Sequence, residues 1–213
     1  MEETPKLSYA AYFDHPLKRS MVRTIERLSG QPYLQKLYET YRADLTHEPF
    51  FAAAIKLLDL DVEFSSRRLA QIPATGPLVI VANHPFGVLD GLLISWLVSL
   101  RRQDFKVLTN AVLDGAPEAR EWLLPIDFAN TKEARATNIA TRAESLERLN
   151  NGECIIVFPA GGVSTSPTPF SRSAVDDTWK PFTAKLISRS DARVTPIFFE
   201  GQNSKKIGDR KSH

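Results

Sequence analysis

The stretch VANHPFGVLDG places one histidine, His84, six positions before an aspartate, Asp90. On a regular helix six positions turn through about 600°, so the two side chains would lie roughly 120° apart. Pro85 disfavours the helical conformation at His84, and Gly87 permits a sharp backbone turn. We therefore predict that the segment loops and brings Asp90 back to the imidazole.

A His-Asp pair of this kind has a specific use in catalysis. A neutral imidazole accepts the proton of a hydroxyl group, and a neighbouring carboxylate fixes its tautomer and stabilises the imidazolium. The alternative is that His84 only caps a helix or bonds the backbone. The pair predicts a general base, provided that the surrounding elements hold it together.

Those elements follow an alternating pattern. Short β-branched runs, namely LVIVA (78–82), FKVL (105–108), CIIVF (154–158) and VTPIFF (194–199), are separated by longer amphipathic stretches. This alternation is typical of an α/β fold with a mostly parallel sheet flanked by helices. His84 then lies at the carboxyl end of a parallel strand, where such sheets place their ligand sites.

The organisation of the chain follows from the same patterns. Residues 1–56 are helical in pattern and predict an N-terminal helical layer; residues 57–201 predict the α/β domain; residues 202–213 predict a polar tail, all within a single structural unit. The clearest helix runs from Glu133 to Leu149 and ends at Asn150-Asn151-Gly152. Its predicted buried side is apolar and comprises Ala136, Ile139, Ala143, Leu146 and Leu149.

Composition excludes several classes of protein. The 213 residues carry a formal net charge of only +2, which by itself does not indicate a nucleic-acid partner. The single cysteine, Cys154, heads an apolar run and is predicted to be a buried structural thiol. The N-terminus lacks an apolar signal-peptide core, and GLLISWLVSL (91–100) is about half as long as a membrane-spanning helix. We expect a cytoplasmic protein whose contact with membranes is peripheral.

Several blocks of sequence resemble a known family. LDLDVEF, LVIVANHPFGVLDG, WLLPIDFANTKEARA, IIVFPAGGVSTS and VTPIFFEG occur in that order between about residues 57 and 201. They resemble the glycerolipid acyltransferases of the 1-acylglycerol-3-phosphate type, whose first block is Asn-His, four residues, Asp. Here five residues, Pro85 to Leu89, intervene, a spacing similar to the haemolysin-annotated and ornithine-lipid-related branch.

The resemblance implies a glycerol-3-phosphate acyltransferase-like fold and a function. His84 would be the general base that deprotonates an acceptor hydroxyl or amine, and Asp90 its orienting partner, with no acyl-enzyme intermediate. The acyl donor would be acyl carrier protein or a coenzyme A thioester and the acceptor a lyso-lipid, with no cofactor and no metal, at the inner face of the membrane. The residues implied in substrate binding are Asn83, Phe86, Gly87, Lys132, Arg135, Pro159, Gly161, Gly162, Ser164 and Pro196.

Two blocks depart from the family pattern. Phe128 occupies the place of an arginine in the second block, for which Lys132 or Arg135 could substitute unless they form only a solvated helix face. The third block lacks its acidic and basic residues. It leaves a turn at Gly161-Gly162 whose backbone amides could hold an anionic group or an oxyanion. A plain turn is the alternative. In the fourth block Pro196 lies where the family lines its acyl pocket.

Two other functions stay open. One is a non-catalytic lipid-binding remnant of the family. The other is a serine esterase that uses Ser164 with His84 and Asp90, although GGVSTS lacks the Gly-x-Ser-x-Gly pattern of a nucleophile elbow.

Membrane docking is predicted for the N-terminal layer, through aromatic residues supported by cations, unless the aromatic residues pack onto the sheet. The aromatic candidates are Tyr9, Tyr12, Phe13, Phe50 and Phe51, and the cations are Lys18, Arg19 and Arg23.

Overall fold

The structure is a computed structural model that describes residues 36, 39–41, 48–110, 117–127, 131–166 and 174–202. Its helices are α1 (Phe50–Leu57), α2 (Ser66–Leu69), α3 (Val88–Ser99), α4 (Pro117–Arg120), α5 (Lys132–Asn150) and α6 (Pro181–Ser188). Its strands are β1 (Leu78–Ala82), β2 (Phe105–Asn110), β3 (Leu123–Ile126), β4 (Cys154–Val157) and β5 (Arg193–Ile197).

The five described strands form one parallel sheet in the order β3-β2-β4-β1-β5. Every residue of β1 and β4 is buried, as expected for inner strands that are covered by helices on both faces. The predicted α/β fold with a mostly parallel sheet is therefore confirmed. Because β1 lies between β4 and β5, the carboxyl ends of these three strands meet at one edge of the sheet.

Two apolar layers enclose the sheet. On one face Ile94 and Val98 of α3 and Phe51 of α1 pack onto alternate strand residues such as Leu78 and Ile80. On the other face the helices α5 and α6 contribute Leu149 and Leu186, which pack onto the intervening strand residues. Side chains of successive strand residues point to opposite faces, so each strand serves both layers.

The strand predictions ran too long at two carboxyl ends. β4 ends at Val157 and β5 ends at Ile197, so the aromatic residues that follow them are outside the strands. Phe158 and Phe199 therefore lie just beyond the carboxyl ends of their strands, where Phe158 contacts His84 and Phe199 contacts Asn83.

The predicted helix 133–149 is confirmed as α5, and its predicted apolar face is right for Leu149, which is buried, and Leu146, which packs on the core, but wrong for the other three residues. Ala134, Thr141, Ser145 and Leu149 are buried, whereas Ile139 is 65% exposed and Ala136 and Ala143 are also exposed. The hydroxyl group of Thr141 donates to the carbonyl oxygen of Pro125 (2.7 Å), and that of Ser145 to the carbonyl oxygen of Thr141 (2.7 Å). Short hydroxyl side chains can be buried once they are hydrogen-bonded. A prediction from the spacing of apolar residues therefore misses them.

One of the aromatic residues predicted to dock on membranes belongs to the core. Phe51 is only 6% exposed, and its ring lies 6.0 Å from that of Phe105 and 5.4 Å from that of Phe50. The prediction was therefore wrong for Phe51, whose ring is taken up by the core; Phe50 is only partly buried beside it, and its docking on membranes stays a prediction. The other candidates, Tyr9, Tyr12, Phe13, Lys18, Arg19 and Arg23, lie outside the described residues.

Cys154 is fully buried at the start of β4, as predicted. Burial raises the pKa of its thiol to about 12, an effect that the nearby Arg102 opposes only in part. A thiol in this environment keeps its proton, so a structural role is confirmed and a nucleophilic one is not supported.

Candidate active site

His84 follows β1 at the edge where three strands end. Its side chain is 19% exposed. The residue after β4, Phe158, covers the imidazole, and the chain after β5 is bonded to the neighbouring Asn83. The parallel sheet thus collects residues that lie more than 100 positions apart in sequence into one site.

The predicted return of Asp90 to the imidazole is present. Nδ1 of His84 lies 3.0 Å from Oδ2 of Asp90, which is fully buried. Gly87 precedes α3 with a φ of 70°, a conformation that an L side chain rarely adopts. The backbone therefore turns at this glycine and points the third residue of the helix back toward the histidine.

The turn also holds the carboxylate itself. Oδ2 of Asp90 accepts hydrogen bonds from the backbone N–H groups of Phe86 (2.8 Å) and Gly87 (3.0 Å). These N–H groups lie at the amino end of α3, where the helix dipole favours a negative charge. Backbone N–H groups therefore hold the carboxylate of Asp90 beside the imidazole.

The ring of Phe158 packs on one face of the imidazole. The two centroids are 4.2 Å apart and the planes differ by 29°. Nδ1 is buried against Oδ2 of Asp90 without an aligned hydrogen bond, and the other nitrogen, Nε2, makes no hydrogen bond within the described part of the chain. Nε2 is therefore the nitrogen that remains for a substrate proton.

The main chain of His84 is fixed by the segment that follows β4. Its N–H group lies 3.2 Å from Oγ of Ser164 and 3.3 Å from Oδ1 of Asp176, and its carbonyl oxygen accepts from the N–H group of Ser164 at 2.8 Å. The Ser164 hydroxyl group donates to Oδ1 of Asp176. Ser164 is buried, and its hydroxyl group makes no hydrogen bond with the imidazole of His84 in the described part of the chain, so the Ser-His pair of the esterase alternative is not formed.

The turn after β4 offers few free amides. The N–H group of Gly161 is bonded to the carbonyl oxygen of Phe158 at 3.0 Å, and that of Ser164 to His84. The N–H groups of Gly162 and Val163 make no hydrogen bond with any other described residue, and both residues are exposed. Pro159 is buried, and its carbonyl oxygen accepts from the N–H group of Lys180 at 2.9 Å.

Two predicted residues at the end of β1 contact the chain after β5. The amide of Asn83 donates to the carbonyl oxygen of Phe199 (2.8 Å) and accepts from its N–H group (2.7 Å), which ties β1 to β5. The ring of Phe86 lies against Gly201, where an added Cβ would be 3.2 Å from the ring. Pro196 is exposed on the edge strand β5, paired with Val81.

The two predicted cations, Lys132 and Arg135, lie in the first turn of α5 and are exposed. This helix follows β3, and the strands β2 and β4 lie between β3 and β1. Three strand spacings correspond to about 14 Å, so the cations are at the same edge of the sheet but not beside the imidazole. Phe128, at the expected arginine position, lies outside the described residues.

Sequence reasoning missed three residues of the site: Phe158, Asp176 and Trp179. Phe158 directly follows a strand that had to end beside β1, which was a usable signal. Asp176 lies in a polar segment without periodicity, and its carboxylate accepts from the indole N–H group of Trp179 at 3.0 Å. No pattern in the sequence predicts that this segment returns to His84.

The chain is similar in sequence to known proteins. A family model described as Acyltransferase matches residues 8–210. The chain is 28% identical over 157 residues to a lyso-glycine lipid O-acyltransferase of Phocaeicola vulgatus, a match that covers 73% of this chain and 52% of that protein. It is 29% identical over 158 residues to the lyso-glycine lipid O-acyltransferase of Bacteroides thetaiotaomicron, covering 73% and 54%. The chain thus spans about half the length of the curated relatives it matches.

Among solved structures, the chain is similar to the 1-acyl-sn-glycerophosphate (LPA) acyltransferase PlsC from Thermotoga maritima. The TM-score is 0.44 at 18% identity, with 88% of this chain and 61% of that chain covered.

The parallel sheet with helices on both faces defines an α/β protein with a candidate site at the carboxyl ends of its strands. Because the family model covers nearly the whole chain, this chain belongs to the acyltransferase family, as the resemblance of its blocks predicted. In the part of the chain that the structure describes, no helix is both long and apolar enough to cross a membrane.

Proposed function

We propose that this chain moves a fatty acyl group from a thioester of acyl carrier protein or coenzyme A onto the hydroxyl group of a lyso-lipid, with His84 as the general base. The observation that carries the proposal is the distance of 3.0 Å between Nδ1 of His84 and Oδ2 of the buried Asp90. With Nδ1 directed at the carboxylate, Nε2 is available for the acceptor. The two lyso-glycine lipid O-acyltransferases that the chain resembles support the class of acceptor.

The chemistry is a direct transfer. Nε2 of His84 takes the hydroxyl proton while the acceptor oxygen forms a bond with the thioester carbonyl carbon. The carbon–sulfur bond then breaks, and the imidazolium returns the proton to the leaving thiolate, so an ester and a free thiol are produced. Asp90 stabilises the imidazolium that exists between the two proton transfers.

The remaining roles follow from placement. The amides of Gly162 and Val163, which have no partner in the described part of the chain, are the candidates to hold a developing oxyanion or an anionic group. Lys132 and Arg135 are the candidates for a phosphate of the acceptor or of the acyl carrier, since both are exposed at the same edge of the sheet. Pro196 and Phe86 are the candidates for the acyl chain.

The test is turnover of an acyl thioester with a panel of lyso-lipids, followed by free-thiol release and by mass analysis of the product. His84→Ala is expected to lower kcat by on the order of 10²- to 10⁴-fold, the contribution of a general base. Lys185→Ala, an exposed change on α6, is the control and should leave turnover unchanged. Near-normal transfer by folded His84→Ala would refute the general-base role.

The same assay separates the two alternatives. Absence of thiol release by the unaltered protein with every acceptor would favour a lipid-binding protein without catalysis. Under the esterase alternative, Ser164→Ala would abolish turnover, and an acyl adduct on Ser164 would be detected by mass. We expect no such adduct, because the Ser164 hydroxyl group is not hydrogen-bonded to the imidazole of His84, the base that this alternative requires.

The proposal includes peripheral docking of the protein on the inner face of the membrane, where a lyso-lipid is found. Sedimentation with vesicles should show binding that requires anionic lipid and that weakens with salt, since screening shortens the reach of Lys18, Arg19 and Arg23 to about 8 Å at physiological ionic strength. Changing these three residues to Gln should reduce binding, whereas Lys185→Gln should not. Binding that ignores both lipid charge and salt would contradict this mode of docking.

A further inference from the structure

We propose that Asp176 is a positioning residue for His84: its carboxylate fixes the main chain of the histidine and thereby sets the direction of Nε2. The inference rests on the proposed function, in which Nε2 accepts the substrate proton. Asp176 belongs to residues 174–180, which we call the flanking segment.

The contacts converge on one carboxylate. Oδ1 of Asp176 lies 3.3 Å from the backbone nitrogen of His84 and accepts the hydroxyl hydrogen bond of Ser164. Oγ of Ser164 in turn lies 3.2 Å from the same backbone nitrogen. The N–H group of His84 therefore meets two oxygens that are themselves hydrogen-bonded to each other, so a shift of either moves the other.

The carboxylate is itself anchored. Oδ2 of Asp176 accepts from the indole N–H group of Trp179 at 3.0 Å. The flanking segment is tied to the turn after β4 at both ends, through an antiparallel bridge between Val175 and Thr165 and through the hydrogen bond from Lys180 to Pro159 at 2.9 Å. Asp176 thus joins the support of His84 to an element that is distant from β1 in sequence.

The position of the His84 main chain affects whether Nε2 can reach the substrate proton. Asp90 fixes Nδ1 and Phe158 fixes the plane of the imidazole, but neither fixes the Cα atom from which the side chain projects. A base must be within hydrogen-bond reach of the proton that it takes, and small displacements cost rate steeply. The main-chain contacts of Asp176 and Ser164 supply the support that the two side-chain contacts lack.

The test compares Asp176→Asn with Asp177→Asn. Asp177 is the neighbouring carboxylate, with a side chain that is 81% exposed, so its variant controls for the loss of one charge in the same segment. In Asp176→Asn one acceptor oxygen becomes an NH₂ donor, which must face either the indole N–H group of Trp179 or the donors from Ser164 and His84. We expect kcat to fall about tenfold with the KM for the thioester within about twofold, and no change for Asp177→Asn.

A rescue variant identifies the cause. Trp179→Phe removes the indole donor and should have a small effect alone. In the double variant the NH₂ group of the introduced asparagine side chain no longer meets that donor, so its amide oxygen can again accept from Ser164 and His84. The kcat should then recover at least threefold over Asp176→Asn. Additive losses in the double variant would overturn the assigned pathway of contacts.

A second readout does not depend on turnover. In protein labelled with ¹⁵N-histidine, the imidazole resonances of His84, assigned by their loss in His84→Ala, should shift in Asp176→Asn and stay in place in Asp177→Asn. Unchanged resonances together with a kcat within twofold of the unaltered protein would overturn the inference. A kcat loss that is fully explained by a smaller folded fraction, measured by thermal unfolding, would also overturn it.

The outcomes separate the two proposals. If His84→Ala is inactive and Asp176→Asn is normal in kcat and in resonances, the general-base proposal stands and the positioning role falls. If His84→Ala retains normal turnover, the general-base proposal falls, and with it the role of Asp176 in the reaction.

Discussion

At the scale of single residues, the site is an imidazole held from three directions. Asp90 lies 3.0 Å from Nδ1, Phe158 stacks on the ring, and Asp176 and Ser164 contact the main chain. These contacts hold the ring and the main chain, and they leave Nε2 as the ring nitrogen that is not buried against Asp90. Asp90 has a second task, because it also accepts two N–H groups at the start of α3.

The two tasks of Asp90 can be separated by substitution. Asp90→Asn keeps an oxygen for the N–H groups of Phe86 and Gly87 but loses the charge beside the imidazolium. We expect kcat to fall on the order of 10- to 100-fold, less than for His84→Ala, with a modest decrease in Tm. Asp90→Ala should also lose the capping bonds and about 1 kcal/mol or more of stability. Equal kcat for Asp90→Asn and the unaltered protein would contradict the assignment.

At the scale of elements, the site depends on how α3 begins. The backbone turns at Gly87 with a φ of 70°, and a Cβ added there would lie 3.4 Å from Cγ2 of Val163. The turn therefore sets two things together: the return of Asp90 to His84 and the approach of the segment after β4. A longer helix that started earlier would carry the carboxylate away from the imidazole, since six helical positions leave the side chains about 120° apart.

Two glycines of this region give a matched comparison. Gly87→Ala forces a side chain into a left-handed conformation and should destabilise the protein by roughly 1–2 kcal/mol, with a loss of kcat because Asp90 shifts. Gly91→Ala, one turn further along α3, meets no atom within 4 Å and should stabilise the protein by about 0.5–1 kcal/mol. Urea unfolding of both variants measures the difference. A Gly87→Ala protein as stable as Gly91→Ala would show that the turn is not strained by a side chain.

At the scale of the whole molecule, the two ends of the strands have different surroundings. At the amino ends of the strands, buried Arg102 pairs with Asp104 (2.7 Å) and donates to the carbonyl oxygens of Pro73, Gly76 and Gly152, which ties the loops before β1 and β4 together. At the carboxyl ends, the chain leaves the strands with His84, Phe158 and Phe199. The hydrogen bonds of Arg102 and the proposed site thus lie at opposite ends of the strands.

The buried thiol of Cys154 makes the free energy of unfolding depend on pH. Burial raises the pKa of its thiol from 9.0 to about 12, so the folded state keeps the thiol proton at pH values where the unfolded chain releases it. This contribution to the free energy of unfolding is complete below pH 9 and is lost as pH rises from about 9 toward 12. Between pH 8 and pH 10 the unaltered protein should lose roughly 1 kcal/mol more stability than Cys154→Ala, measured by urea unfolding. Identical losses in the two proteins would contradict the protected thiol.

The sequence by itself determined the parallel α/β fold, because buried strands are near-continuous apolar runs, and it determined the His84–Asp90 contact, because Pro85 and Gly87 act on the local backbone. It failed where the deciding contacts join distant segments. The buried face of α5 uses hydrogen-bonded Thr141 and Ser145, and Phe51 packs on the core.

Only the tertiary structure decided what surrounds the histidine. Phe158 and Asp176 reach His84 because β4 lies beside β1 and the flanking segment folds back over that edge. Local patterns report periodicity and turns, whereas pairing between strands and the return of an irregular segment depend on the packing of the whole chain. For this reason the pair was predictable from its own eleven residues, and its support was not.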